Sequence, residues 1–256
     1  MHELMLFGAG LVVGAMNAVA GGGMLIGFPI LIASGMSPLV ANATANIAVL
    51  PGNIAATYGY RKYLKRVPRS YLLLLIPAVI GAAIGATILR HTTNANFAKL
   101  VPGLILLAVI LFAFQPWLYK QLHGHLHGPK RLQKSLQPLL IVGVAVLPLS
   151  IYGGYFGAGF GFIMLAFLGF TKLHDHIHRM NALKSVITIC LAATTVAVLY
   201  GSHLIDWRRG IIMAAGCAIG GFYGAMLTQK FSGNAIRLFI VGIGLATAAY
   251  LVLRRY

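Results

Sequence analysis

Between Glu3 and Arg61 the chain carries no Asp, Glu, Lys or Arg. A water-soluble domain needs a charged skin, and a stretch this long supplies none. Further uncharged runs cover Ser70–Leu89, Leu100–Tyr119, Ser135–Thr171, Ser185–Ile205, Gly210–Gln229 and Leu238–Leu253. A helix crosses the hydrocarbon core with about 20 apolar residues. Backbone groups in hydrocarbon must pair internally, which leaves helices or closed barrels. Barrel strands alternate polar and apolar residues, and these runs do not. The expected fold class is therefore an all-α, multi-pass membrane protein lying in a lipid bilayer.

Only 9% of the 256 residues are charged, and just three, Glu3, Asp175 and Asp206, are acidic. Twenty Lys and Arg bring the formal charge to +17. In a soluble protein that balance suggests nucleic acid. Here the basic residues gather between apolar runs, as in cytoplasmic loops of membrane proteins, so nucleic acid is not an expected partner. Cys190 and Cys217 lie inside apolar runs and read as packing residues.

The first run holds two crossings divided at Ser34-Gly35-Met36-Ser37-Pro38. The run from Ser135 has a glycine-rich middle and reads as one broken span. Eight crossings follow, with the basic segments Arg61–Arg69, Lys120–Lys134, Arg208–Arg209 and Arg254–Arg255 on one side. That places both termini in the cytoplasm.

Four pairs of segments match in order. Gly81-Ala82-Ala83-Ile84-Gly85 returns as Gly216-Cys217-Ala218-Ile219-Gly220, and Ala20-Gly21-Gly22-Gly23 as Phe156-Gly157-Ala158-Gly159. Asn42-Ala43-Thr44 matches Asn181-Ala182-Leu183, and Asn96-Phe97-Ala98-Lys99-Leu100 matches Asn234-Ala235-Ile236-Arg237-Leu238. These pairs imply a duplication: a first four-helix repeat over 1–120, a basic linker over 121–137 and a second four-helix repeat over 138–256. Each repeat contains a glycine-broken helix.

Broken spans at matching places point to a transporter site. A polar cluster follows each break: Asn42, Thr44 and Asn46, then Asn181, Lys184 and Ser185. These are donors suited to an oxyanion, and helix N-termini at the breaks add N–H groups. With Asn17, Gly21, Gly22, Gly23, Gly157 and Gly159 they form the candidate substrate site. Gly81-xxx-Gly85 and Gly220-xxx-Gly224 read instead as helix-packing motifs. Two His-x-His-x-His strings, His123/His125/His127 and His174/His176/His178, fall on opposite sides in this topology and default to solvated loops. No catalytic motif, cofactor or metal site is expected.

The stretches Gly21-Gly22-Gly23 through Phe28-Pro29, Gly35-Met36-Ser37-Pro38 with Ala41-Asn42-Ala43-Thr44, and Gly157-Ala158-Gly159-Phe160-Gly161 with Asn181-Ala182-Leu183-Lys184 resemble the TauE/SafE family. The resemblance implies a multi-pass inner-membrane carrier for sulfite, sulfonates or other small organosulfur anions, with a homodimer as one possible assembly. The rival readings are a divalent-metal exporter using the histidine strings and a membrane scaffold without transport.

Overall fold

A computed structural model describes residues 2–125, 137–168 and 177–227. The described residues form helices joined by short turns: α1 (His2–Val19), α2 (Met24–Ala33), α3 (Pro38–Gly59), α4 (Arg61–Leu64), α5 (Leu75–Arg90), α6 (Asn94–His125), α7 (Gln137–Tyr155), α8 (Phe160–Leu168), α9 (Ile177–Leu199) and α10 (Trp207–Leu227). A 3₁₀ turn, Arg69–Leu74, leads into α5. Among the described residues four helical stretches are long and apolar enough to cross a membrane: Pro38–Gly59, Arg69–Arg90, Ile177–Leu199 and Trp207–Leu227. Shorter apolar helices cover Glu3–Val19, Met24–Ala33, Asn94–Ile110 and Val142–Tyr155. The run Leu238–Leu253 lies outside the described residues.

α3 is the central helix. Its residues from Ala41 to Val49 are all buried, and it packs on α10, α9, α1, α2 and α6. Small residues make these approaches possible. A Cβ on Gly14 would lie 2.2 Å from the Cys217 carbonyl oxygen, and one on Gly220 would lie 2.0 Å from that of Leu11. α5 meets α7 the same way, through Gly81 against Leu147 and Gly85 against Ile151. Without a hydrophobic force between helices in lipid, this close backbone packing is what holds them together. Gly81-xxx-Gly85 and Gly220-xxx-Gly224 are thus packing motifs, as their spacing suggests.

The register of these contacts sets direction. Along α1, Glu3 meets Arg208, Gly10 meets Met213 and Gly14 meets Cys217. Along α3, Thr44 meets Gly210, Gly52 meets Cys217 and Gly59 meets Ala225. Both helices therefore run parallel to α10 and to each other. The sequence reading made α1 and α2 one broken crossing antiparallel to α3, and the structure corrects this. At the first glycine break the chain turns back, so that Gly23 and Gly27 both pack against Val13. The physical reason is that Gly21 takes a left-handed φ of 85°, which redirects the chain instead of kinking it. α8 likewise packs on α7, and both contribute to one apolar cluster that includes Val142, Val146, Met164 and Leu165.

Two glycine-tipped hairpins therefore stand among the longer helices. The start of α1 and the Arg61–Arg69 loop lie at opposite ends of the bundle, not the same end. That loop instead shares its end with the start of α9, where the Tyr63 and His178 rings are 4.8 Å apart. Cysteines placed at Leu4, which is exposed, and at Arg66 should react with an impermeant thiol reagent from opposite faces of the membrane. Labelling of both from one face would overturn the parallel arrangement of α1 and α3.

Candidate functional site

Both breaks close by the same backbone turn. At the first, the N–H groups of Ala20 and Gly21 donate to the Met16 carbonyl; at the second, those of Phe156 and Gly157 donate to the Tyr152 carbonyl. Gly157 and Gly159 have φ of 77° and 81°, conformations that side chains with a Cβ resist. The two tips then touch. A Cβ on Gly21 would lie 2.6 Å from the Gly161 Cα, and one on Gly161 would lie 2.5 Å from the Gly21 Cα. Glycine is what lets these backbones meet.

A helix that ends leaves its last carbonyls without intrahelical donors. In the protein interior those carbonyls need partners, and each tip finds one across the molecule. Lys184, on α9, is buried, and its Nζ donates to the carbonyls of Asn17 at 2.9 Å and Ala18 at 3.3 Å and to Asn181 Oδ1 at 3.0 Å. Tyr60 Oη also donates to the Ala18 carbonyl. At the other tip Asn42, near the start of α3, donates from Nδ2 to the Tyr155 carbonyl at 2.9 Å. Lys184 of α9, together with Tyr60, thus caps α1, and Asn42 of α3 caps α7.

The electrostatics of the junction follow. Helix C-termini carry roughly half a negative charge and N-termini roughly half a positive one. The ends of α1 and α7 and the starts of α2 and α8 all converge here, so these partial charges nearly cancel. Lys184 Nζ faces three acceptors, which calls for the three donors of an ammonium and so adds a positive charge. Among the described residues no carboxylate pairs with it, since Glu3 and Asp206 pair with Arg208 and Arg209 at the surface. The junction is a positively charged, polar centre inside an apolar bundle.

A cavity of about 10 Å³ lies at the contact, lined in part by Asn17, Gly21, Asn46, Gly157, Gly161 and Thr188. By volume it has room for about one water molecule. Asn17 Nδ2 donates to Asn53 Oδ1 at 3.0 Å, and Asn53 Nδ2 donates to the Val49 carbonyl.

The residues singled out from the sequence divide into two groups. Asn17, Gly21, Asn42, Asn46, Gly157, Asn181 and Lys184 gather around the two tips. Gly22 faces the Phe162 ring, Gly23 faces Val13, and Gly159 faces Ala108 of α6. Thr44 Oγ1 accepts from the Asp206 N–H and so holds the entry to α10, while Ser185 donates within its own helix to the Asn181 carbonyl. Asn53, Tyr60 and Thr188 were not singled out. Asn42, Asn46 and Asn53 recur at helical spacing in an apolar run, so the signal for Asn53 was present. Nothing local marks Tyr60 or Thr188.

Of the histidines, His123 and His125 fall on α6. His127, His174 and His176 lie outside the described residues. Among the described residues no group of three or more His, Cys, Asp or Glu gathers into a metal site.

Replacing Lys184 with Met removes three hydrogen bonds and leaves the Asn17 carbonyl bare, while the Ala18 carbonyl keeps Tyr60. Hydrogen bonds to charged groups contribute about 1.5–3 kcal/mol each, partly offset here by the desolvation of the charge. Lys184→Met should therefore lower the melting temperature of the purified protein by several degrees. An unchanged melting temperature would show that the cap adds no stability.

The family profile for the sulfite exporter TauE/SafE matches residues 6–251 of this chain. A probable membrane transporter protein of Haemophilus influenzae is 31% identical over 255 residues, covering 96% of this chain and 93% of that protein. The probable membrane transporter protein YfcA of Escherichia coli K12 is 28% identical, with 96% and 88% coverage. A Sinorhizobium protein, probable membrane transporter protein ORF9, is 26% identical, with 96% and 91% coverage. No solved structure matches the chain.

Proposed function

The chain is a membrane transporter of the TauE/SafE sulfite exporter family, and on that premise we propose that it carries small sulfur-containing anions across the bacterial inner membrane by secondary transport. Sulfite and short organosulfonates are the substrates this reading favours. The observation that carries it is the junction of the two hairpin tips, where unshielded backbone at Gly21 and Gly161 meets beside the buried ammonium of Lys184.

An oxyanion stripped of water needs N–H donors and positive charge. The starts of α2 and α8 offer positive dipole ends, while the N–H groups of Leu25, Ile26, Phe160 and Phe162 are held by tip carbonyls until the tips separate. Glycines beside them let an anion approach the backbone. Lys184 supplies the net charge that draws a negative substrate into a low-dielectric centre, and Asn17, Asn42, Asn46 and Asn181 line the approach. Separation of the tips from one side or the other would open the site alternately, as in carriers whose sites lie between broken helices.

The same reading makes the protein two inverted halves, each opening on a hairpin, with α3, α5 and α6 after the first and α9 and α10 after the second. Several features support it: the matching turns at both breaks, the packing of α1 on α10 and of α7 on α5, and the capping of each tip by the opposite half. An odd number of crossings inverts the second half. With the basic loop Arg61–Arg69 in the cytoplasm, the start of α1 faces the outside.

Proteoliposomes containing the purified protein should accumulate labelled sulfite, and the Gly161→Val variant should lose that flux because a branched side chain cannot fit against Gly21. Lys184→Met should weaken sulfite affinity about tenfold. At an effective dielectric near 20, two charges ~4 Å apart interact by about 4 kcal/mol, and a third of that surviving is a factor of ten. Flux of nickel or zinc in place of sulfite would replace this reading with metal export. Flux of neither would favour a scaffold.

A further inference from the structure

Two acceptor atoms at the junction have no partner. Asn42 and Asn46 are essentially without solvent exposure, and the Oδ1 of each accepts no hydrogen bond from any described residue. The orientation of these amides is not arbitrary. Asn42 Nδ2 faces the Tyr155 carbonyl and Asn46 Nδ2 faces the Asn42 carbonyl at 3.0 Å. A carbonyl only accepts, so each nitrogen must stay where it is and each oxygen must point the other way. Residues four apart share a helix face, so both side chains lie on the same side of α3. Asn46 lines the cavity between the tips.

These oxygens conflict with a substrate that only accepts hydrogen bonds. A fully deprotonated oxyanion would set its own lone pairs against them. The junction nonetheless carries the positive charge of Lys184, which disfavours a bare metal cation. A substrate that suits both features has a negative group and an O–H or N–H donor in one small body. We propose that this transporter selects anions bearing such a donor, with Asn46 as the residue that accepts it and Asn42 as a second acceptor. The proposal rests on the anion site described above and specifies what that site selects.

Discrimination of this kind is strong when it is built from buried polar groups. A substrate lacking the donor leaves the acceptor desolvated and unpaired, which costs affinity that an apolar pocket cannot recover. Asn46 suits the test better than Asn42, because Asn42 also caps α7. Loss of the Asn46 amide strips only one hydrogen bond to a carbonyl within its own helix.

Sulfamate and methanesulfonate decide the matter. They have the same shape and charge, but sulfamate presents an NH₂ where methanesulfonate presents a methyl group. Competition against labelled sulfite on the purified protein should show sulfamate binding at least about tenfold tighter than methanesulfonate. Asn46→Leu should reduce that ratio to about threefold or less, and Asn46→Gln, which keeps an acceptor, should retain more of it. Equal competition by the two anions on the parent protein would overturn the proposal while leaving the anion site intact, and would assign the asparagine oxygens to bound water. A ratio unchanged in Asn46→Leu would overturn the role of Asn46. Failure of labelled sulfite, sulfamate and methanesulfonate all to bind would sink the anion reading, and this proposal with it.

Discussion

The structure depends on how two helices can end inside an apolar bundle. A helix end in such a place exposes carbonyls that neither lipid nor neighbouring alkyl side chains can satisfy. Here α1 ends on the ammonium of Lys184 and the hydroxyl of Tyr60, and α7 ends on the amide of Asn42. Lys184 and Asn42 reach across from helices remote in sequence, with separations of 167 residues for Lys184–Asn17 and 113 for Asn42–Tyr155. The hairpins and the long helices α3 and α9 consequently hold one another in place. The caps differ in kind, since one end is met by a charge and the other by a neutral amide. That difference leaves the centre of the molecule positive.

Small residues make the rest of the arrangement possible. Gly10, Gly14, Gly216 and Gly220 bring the α1 and α10 backbones together closely enough that any Cβ would collide with a carbonyl. The same economy at Gly21 and Gly161 brings the two tips into contact. At the tips, however, close approach has a second consequence. Bare backbone at Gly21 and Gly161 lies beside a small cavity that Asn17, Asn46 and Thr188 also line. The match to the transporter family runs from residue 6 to 251, so it spans both glycine breaks and the helices that cap them.

Much of this was legible in the sequence because it rests on local chemistry. The long uncharged runs require helices in a bilayer, and three consecutive glycines interrupt one. Asn17, Asn42, Asn46, Asn181 and Lys184 stood out as polar residues in apolar surroundings, and they come together at the tips. Thr44 shared that signature and faces Asp206 instead, because position along α3 decides which neighbour it meets. Tyr60 escaped notice, since an aromatic at a helix end is common at a membrane interface. Charge counting assigned the ends of helices on the assumption that each apolar run crosses. It failed at α1 and α2, where one run turns back.

By itself the sequence determined the class of the protein, the places where its helices break and the family to which its motifs belong. Those properties follow from hydrophobicity, glycine's lack of a Cβ and short residue strings, none of which needs a distant neighbour. Only the tertiary structure decided that the breaks are hairpin tips, that α1 runs parallel to α3, and that Lys184 spends its three donors on α1 and Asn181. It also decided which amide oxygens remain unpaired, because that depends on carbonyls brought from the opposite half of the chain. Glycine permits a turn without choosing its direction, and a buried polar side chain requires a partner without naming it. Packing between remote helices supplies both choices.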